Sequence, residues 1–511
     1  MYKRIEKSFN SVFSWFIKKR LHEIEQFKKE PIETQNKQLK KLVEKAKNTS
    51  FGIEHDFSKI VDYSTFKKQV PLQDYTSLKP FIDQTIAGKQ NILWPDEIKW
   101  FAKSSGTTTG KSKFIPVTKE AVEDCHYKGG KDLLGMYYHH HPETRLFNGK
   151  HLILGGSSQI NYFNSNSYFG DLSAIIVKNL PWWCEWRRTP KREITLMEDW
   201  EEKLPKMVES TIKEDVMILA GVPSWTLIFL KKVLEYTGKK NIMEVWPNLE
   251  LYMHGGVNFQ PYKAQFEALI QSDNMNYVQT YNASEGFFAI QDRVKADDML
   301  LMLDYGIFYE FIPLEELNKK NPKTIALESV EVGVNYAMVV TTNVGLWRYV
   351  IGDTIQFTSI QPHRIKVTGR TSHFLNTFGE EVIADNTDKA IEIACQKTNA
   401  SVQEYTVAPI FMTNEQTGGH EWLIEFNQLP KSIQLFAQEL DEALKTLNSD
   451  YEAKRTGDLS IAKPKINIAQ QGTFYKWLKA KNKLGGQHKI PKLSNNRILL
   501  EELLELNLHS V

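Results

Sequence analysis

The sequence predicts an α/β protein with a large N-terminal domain of mixed sheets and covering helices, residues 1–370, and a small α+β C-terminal domain, residues 371–511. Three observations predict this. At 511 residues the chain exceeds the size at which one core keeps growing, so two domains are expected. Between Val216 and Tyr281 apolar strand-like runs alternate with amphipathic stretches of helix length, the pattern of a parallel sheet with helices on its faces. After Gly369-Arg370 the pattern shifts to helix, strand, Gly-Gly turn, strand and helix, which reads as a separate smaller unit beginning at about Thr371.

Composition narrows the function classes. Hydrophobic residues make up 41% and charged residues 25%, as in an ordinary soluble globular protein. Lys+Arg number 64 against Asp+Glu 62, a net charge of +2, so no broad basic face for nucleic acid is expected. Cys125, Cys184 and Cys395 match neither a disulfide framework nor a metal-ligand spacing. A reduced, cytoplasmic setting and a monomer are the expectation. The basic and apolar N-terminus, with Val12, Phe13, Trp15, Phe16 and Ile17, is too short to span a bilayer. It reads as a helix docked on the main domain, the alternative being a surface-lying amphipathic helix.

Taken in order, Glu33 to Asn48 carries Leu39, Leu42, Val43 and Ala46 at helical spacing and predicts an amphipathic helix. Ile98 to Lys103 is a strand leading into SSGTTTGKSKFIPVT, Ser104 to Thr118. This stretch has hydroxyls, glycines and lysines that can surround a polyanion, the alternative being a plain Ser/Thr/Gly turn. It is no P-loop: counting back from Gly110, Ser105 stands where a glycine is required, and β-like Phe114-Ile115-Pro116-Val117 follows instead of a helix. Thr118 can cap the helix begun by Lys119-Glu120-Ala121. His139-His140-His141 before Pro142 reads as a polar helix terminus rather than a metal site. The cluster Trp182-Trp183-Cys184-Glu185-Trp186 reads as packing.

The middle of the chain predicts strand Val216–Ala220, helix Pro223–Thr237 stopped by Gly238, strand Leu249–Met253, helix Tyr262–Ile270 and strand Asn276–Tyr281. Ligands of such sheets sit beyond the carboxyl ends of the strands, where His254-Gly255-Gly256 and Tyr281-Asn282-Ala283-Ser284-Glu285 fall. Further strands are Tyr336–Thr342 and Trp347–Phe357. In the small unit come strand Val402–Phe411, strand Glu421–Phe426 and a helix with Ile433, Phe436, Leu440, Leu444 and Leu447 along one stripe.

Four pieces stand together in order: SSGTTTG, YNASEG at Tyr281–Gly286, GLWRYVIGD at Gly345–Asp353, and GGQHKIPK at Gly485–Lys492. They resemble the adenylate-forming enzymes, and among them the auxin-responsive acyl-acid amido synthetase family, which joins jasmonate, indole-acetate or benzoates to amino acids. The resemblance spans nearly the whole chain and implies an N-terminal domain of adenylate-forming type with a mobile C-terminal lid. It implies ATP and Mg²⁺, a carboxylic acid and an amino acid as small-molecule partners, and an acyl-adenylate intermediate. A thioester-forming ligase and a non-catalytic nucleotide sensor are the alternatives. Carboxylate and triphosphate are both anions, so their reaction calls for positioned donors and a metal ion.

The same resemblance implies the site residues. Ser104, Ser105, Gly106, Thr107 and Thr108 would hold the phosphates, and Thr107 would take part in catalysis. Glu285 would be catalytic as the Mg²⁺ ligand. Tyr281, Asn282, Ser284 and Gly256 would lie by the adenine and α-phosphate, and Asp353 would accept the ribose hydroxyls. Val257, Tyr262 and Gly286 would border the substrate. Lys489 would swing in to meet the α-phosphate, and Gly369-Arg370 would mark the hinge, with Arg370 by the nucleotide. Two positions depart from the family pattern: Val350 replaces the arginine of its third motif, leaving Arg348 as the candidate substitute in nucleotide binding, and Lys492 replaces an arginine near the C-terminus.

Overall fold

The computed structural model describes residues 17–104, 113–154, 160–180, 182–197, 200–256, 259–293, 295–317, 319–371, 374–375, 380, 382–411, 418–448, 451–452, 455, 461–484, 489–494 and 496–508. Among them, a 12-stranded sheet runs through the first 370 residues and changes character at its middle. The strand Asn276–Ala283 pairs in parallel with Leu251–Gly255 on one side, and antiparallel with Gly286–Ile290 on the other. Toward one edge, Leu251–Gly255, Val216–Gly221 and Lys150–Ile153 continue the parallel half. Toward the other, antiparallel strands that include Tyr349–Ile360 and His363–Arg370 complete it.

The predicted strand, helix, strand, helix, strand series is present, with strand ends shifted by a residue or two. Its helices form where the local chemistry favours them. Pro223 starts the helix Pro223–Thr237 at a position that needs no amide donor, and Gly238, at φ 68°, ends it in the left-handed conformation. This helix and Gln260–Leu269 cover one sheet face: Phe266 stacks on Tyr252 of the sheet and Phe229 on Trp246, all four buried. Fully burying each such side chain contributes about 1.5–3 kcal/mol. The opposite face packs on the N-terminal helices. There Arg20 docks residues 17–29 by pairing with Asp132 and Asp304, so the described part of the N-terminal helix lies on the main domain.

The strands on either side of the first motif belong to a smaller sheet. Trp100–Ser104 pairs antiparallel with Lys113–Val117, and Ser104 stands opposite Lys113. Thr118 caps the following helix as expected, its hydroxyl accepting the Ala121 amide at 3.0 Å. That helix then passes through a π-helical segment, Val122–Tyr127, before resuming as Lys128–His140, an insertion no periodicity in the sequence announced. The histidine run ends it. Trp186 departs from expectation: it is 78% exposed rather than packed.

Among the remaining described residues, Ser401–Ile410, Gly419–Gln428 and Lys465–Ala469 form the three-stranded sheet of a smaller unit, preceded by the short pair Phe374–Leu375 and Val382–Ile383. The helices Ala384–Thr398 and Ile433–Leu447 pack on it, with Phe436, Leu440 and Leu444 buried as the stripe predicts. Its helix Ala384–Thr398 and strand Ser401–Ile410 contact the N-terminal helix Gln260–Leu269. A cleft closes between the two units.

Candidate nucleotide and acyl site

The cleft is a cavity of about 1710 Å³ at the carboxyl ends of the parallel strands. Parallel strands all point their free ends the same way, so the loops that leave them converge on one ligand volume. Strand Leu251–Gly255 delivers His254, Gly255 and Gly256 to it, and strand Asn276–Ala283 delivers Tyr281 and Asn282. Ser284 and Glu285 line it from the two-residue turn before Gly286–Ile290. Glu285 is therefore a hairpin carboxylate, buried at 7% exposure, not a helix-start residue.

Asp353 reaches the same cavity from strand Tyr349–Ile360, where it stands opposite Arg370 in the ladder. The Tyr281 hydroxyl donates to its Oδ2 at 2.7 Å. This bond joins two motifs 72 residues apart and fixes an acceptor-only carboxylate at the wall. Asn282 is held from behind, since its Oδ1 accepts from Nδ1 of His126 at 3.0 Å. Burial pushes the His126 imidazole down to about 4, so it is neutral at pH 7 and this nitrogen carries the proton. His126 reaches Asn282 from the π-helical segment, a position the sequence gave no sign of.

Lys489 comes from the C-terminal unit and lines the cavity. A methyl group placed on Gly256 would sit 3.3 Å from its Nζ, and Gly256 itself has φ 82°. Only glycine combines that backbone with so close an approach. Tyr262 lines the cavity as well, buried in helix Gln260–Leu269. His254 is buried at 3% exposure and stacks on Phe259 with ring centroids 4.1 Å apart, and burial pushes it down to about 3. It is a neutral wall residue.

Two candidates lie elsewhere. Arg348 is buried and does not line the cavity: it binds Glu310 through Nε and Nη2 at 2.9 and 2.8 Å and donates to the Val70 carbonyl at 2.7 Å. Its donors are spent on a buried carboxylate and a carbonyl, the arrangement of a structural anchor. Gly286 also faces away; a methyl group there would lie 2.7 Å from the Ile307 side chain, so its smallness serves strand packing. Lys492 pairs with Asp388 and lies over the Tyr405 ring at 4.9 Å. Ser105, Gly106, Thr107, Thr108 and Val257 fall outside the described residues, as do the side chains of Ser104 and Arg370.

Among the described residues no group of three or more His, Cys, Asp and Glu side chains could hold a metal ion. Glu285 is one of several carboxylates that line the cavity, and one such group is enough for Mg²⁺, an ion that takes one or two protein carboxylates and fills its remaining positions with phosphate oxygens and water. No helix among the described residues is long and apolar enough to cross a membrane.

Known proteins resemble this chain along its length. Indole-3-acetic acid-amido synthetase GH3.3 of Arabidopsis thaliana is 23% identical over 552 residues, covering 92% of this chain and 90% of that protein. The 4-substituted benzoates-glutamate ligase GH3.12 of the same plant is 23% identical over 491 residues, covering 81% and 84%. The solved structure of GH3.15 acyl acid amido synthetase superposes with a TM-score of 0.79 at 17% identity over 96% of this chain and 95% of that one. A 2-hydroxyisobutyryl-CoA ligase superposes with 0.58 at 12% identity, covering 93% and 91%, so the two chains share a fold. The GH3 family N-terminal, central and C-terminal domain models match residues 20–275, 300–370 and 385–498 in order. With most of its residues matched in that order, the chain belongs to the GH3 family.

Proposed function

We propose that this protein activates a carboxylic acid with ATP, releasing pyrophosphate and forming an acyl-adenylate, and then joins the acyl group to the amine of an amino acid. The observation that carries the reading is the meeting of four separate segments in one cavity: Gly256, Tyr281 with Glu285, Asp353 bonded to Tyr281, and Lys489 beside Gly256.

Each has a chemical task. Asp353, oriented by the Tyr281 hydroxyl, accepts the ribose hydroxyls and sets the nucleotide's register. Lys489 meets the charge that develops on the α-phosphate as the carboxylate attacks and pyrophosphate departs. A positioned cation does most where charge grows during the step, because its attraction then lowers the barrier and not only the ground state. Glu285 would hold Mg²⁺, which neutralises phosphate charge when bound. Ser104, Ser105, Gly106, Thr107 and Thr108 keep the phosphate contacts that the motif implies. The amine then attacks the acyl carbon and AMP leaves, and we take the junction near Thr371 as the hinge about which the smaller unit turns between the two steps.

The test is a pyrophosphate-release screen over carboxylic acids, with amino acids or coenzyme A as acceptors and products identified by mass. Release coupled to amide products is expected. Turnover only with the thiol would reassign the protein as a thioester ligase, and silence with every acid would leave nucleotide sensing.

A further inference from the structure

The helical run from Lys119 to His140 contains adjacent glycines, Gly129 and Gly130, just after its π-helical segment. Neither has a positive φ, so neither is required by the backbone, and each destabilises the helix relative to alanine. Gly129 has a packing reason: a methyl group there would lie 2.7 Å from the Phe287 ring. Gly130 has none. A methyl group on it would find no atom within 4 Å, and the residue lines the cavity.

Apolar side chains stand next to that opening. Leu133, one turn along the same helix face, lines the cavity with Gly130, and so do Phe287 and Ser173. Leu133 and Phe287 belong to the same hydrophobic cluster. An ionised group placed against such a wall would lose its hydration without a partner, whereas an aliphatic or aromatic body would gain by burial.

We propose that Gly130 sets the size of the acid, leaving open the cavity wall that takes an uncharged, bulky aliphatic or aromatic acyl body. The proposal rests on the ligase reading, with this wall serving the acyl group and the Tyr281–Asp353 side serving the nucleotide. The absent side chain at 130 is the room in which the acyl group lies.

The experiment compares the native protein with Gly130→Ala and Gly130→Leu. Each is assayed for pyrophosphate release with straight-chain acids from acetate to decanoate and with benzoate and naphthoate, and each is melted. Gly130→Ala is expected to melt at a higher temperature, since alanine favours the helix. Gly130→Leu is expected to retain the smallest acid the native protein accepts, with kcat/KM for the largest falling about 100-fold, the scale at which a pocket discriminates added methylenes. An unchanged acid profile, or an equal fall for all acids, overturns the proposal. Calorimetric titration with decanoate and separately with ATP tests the wall apart from turnover. If no acid is turned over, the ligase reading fails, yet decanoate binding that Gly130→Leu abolishes while ATP binding persists still supports the assignment. Absent decanoate binding, or binding equal in native and Gly130→Leu proteins, overturns it.

Discussion

A lysine ammonium held beside a glycine backbone is a cation with no intervening side chain to keep an anion away on that side. Lys489 stands so beside Gly256, although the two residues are brought together only by the approach of the small unit to the large one. If its task is the α-phosphate during adenylation, its loss should separate the two half-reactions. Lys489→Ala is expected to lower pyrophosphate release by about 100-fold or more, the cost of removing a donor aimed at developing charge. Amide formation from a supplied acyl-adenylate should stay within a few-fold of native. Equal loss in both assays would contradict the assignment. In the proposed nucleotide role Asp353 would act in a complementary way, since its bond from Tyr281 orients the carboxylate before any ligand arrives and so would reduce the ordering needed on binding.

At the scale of elements, Arg348 shows how an arginine inside a ligand-binding motif can serve the scaffold. It follows the strand Asn335–Thr342 and precedes Tyr349–Ile360, with φ 46°. Its guanidinium ties Glu310 of a neighbouring strand, and Tyr63 also donates to Glu310, at 2.9 Å. Both Arg348 and Glu310 are buried, so removing one leaves an uncompensated charge. Arg348→Ala is expected to destabilise the protein by roughly 3–5 kcal/mol, read as a lower urea midpoint. Arg348→Lys should fall between, because an ammonium cannot reproduce the forked geometry, and its KM for ATP should remain native. A lysine variant of native stability with weakened ATP use would restore the nucleotide role. Arg348 also marks what the sequence could convey. The strands and helices from Val216 to Ala283 were legible because their apolar periods and their Pro and Gly stops are local. Tyr281, Glu285, Asp353 and Lys489 were grouped by the family resemblance of their motifs, and all four line one cavity. The role of Arg348 was not legible, because its partner lies 38 residues earlier and nothing local marks it. The same holds for Gly286, whose constraint is the Ile307 side chain, and for His126, aimed by a π-helical insertion that has no sequence period. Trp186 was misread because a tryptophan's bulk predicts burial and only tertiary context can leave it exposed.

For the whole molecule the question is what holds the two units together. Helix Gln260–Leu269 of the large unit meets helix Ala384–Thr398 and strand Ser401–Ile410 of the small one, and the contact is rich in ionisable groups. Buried Tyr262 feels the charges of Glu404 and Asp388, which together with its burial raise its phenol well above the ordinary range. Burial likewise pushes Glu404 up to about 7, with Lys492 opposing the shift and Asp388 and Glu425 adding to it. The sign follows from linkage. To the extent that helix Gln260–Leu269, packed on strand Ser401–Ile410, supplies that burial, the carboxyl holds its proton more tightly docked than free, and protonation favours docking. That contribution is complete below about pH 4, the ordinary range of a free glutamate, and is lost as pH rises through about 7. The closed arrangement, and with it the placement of Lys489, should therefore loosen between about pH 6 and 8. Glu404→Gln keeps the shape and a neutral polar group, so it should hold the units closed at the upper end of that range and flatten the profile. Limited proteolysis of the segment joining the units, run across pH on both proteins, reads this directly. Cleavage of the native protein should quicken with rising pH while cleavage of the variant stays slow. If both quicken alike, the proton that governs closure resides on a group other than Glu404.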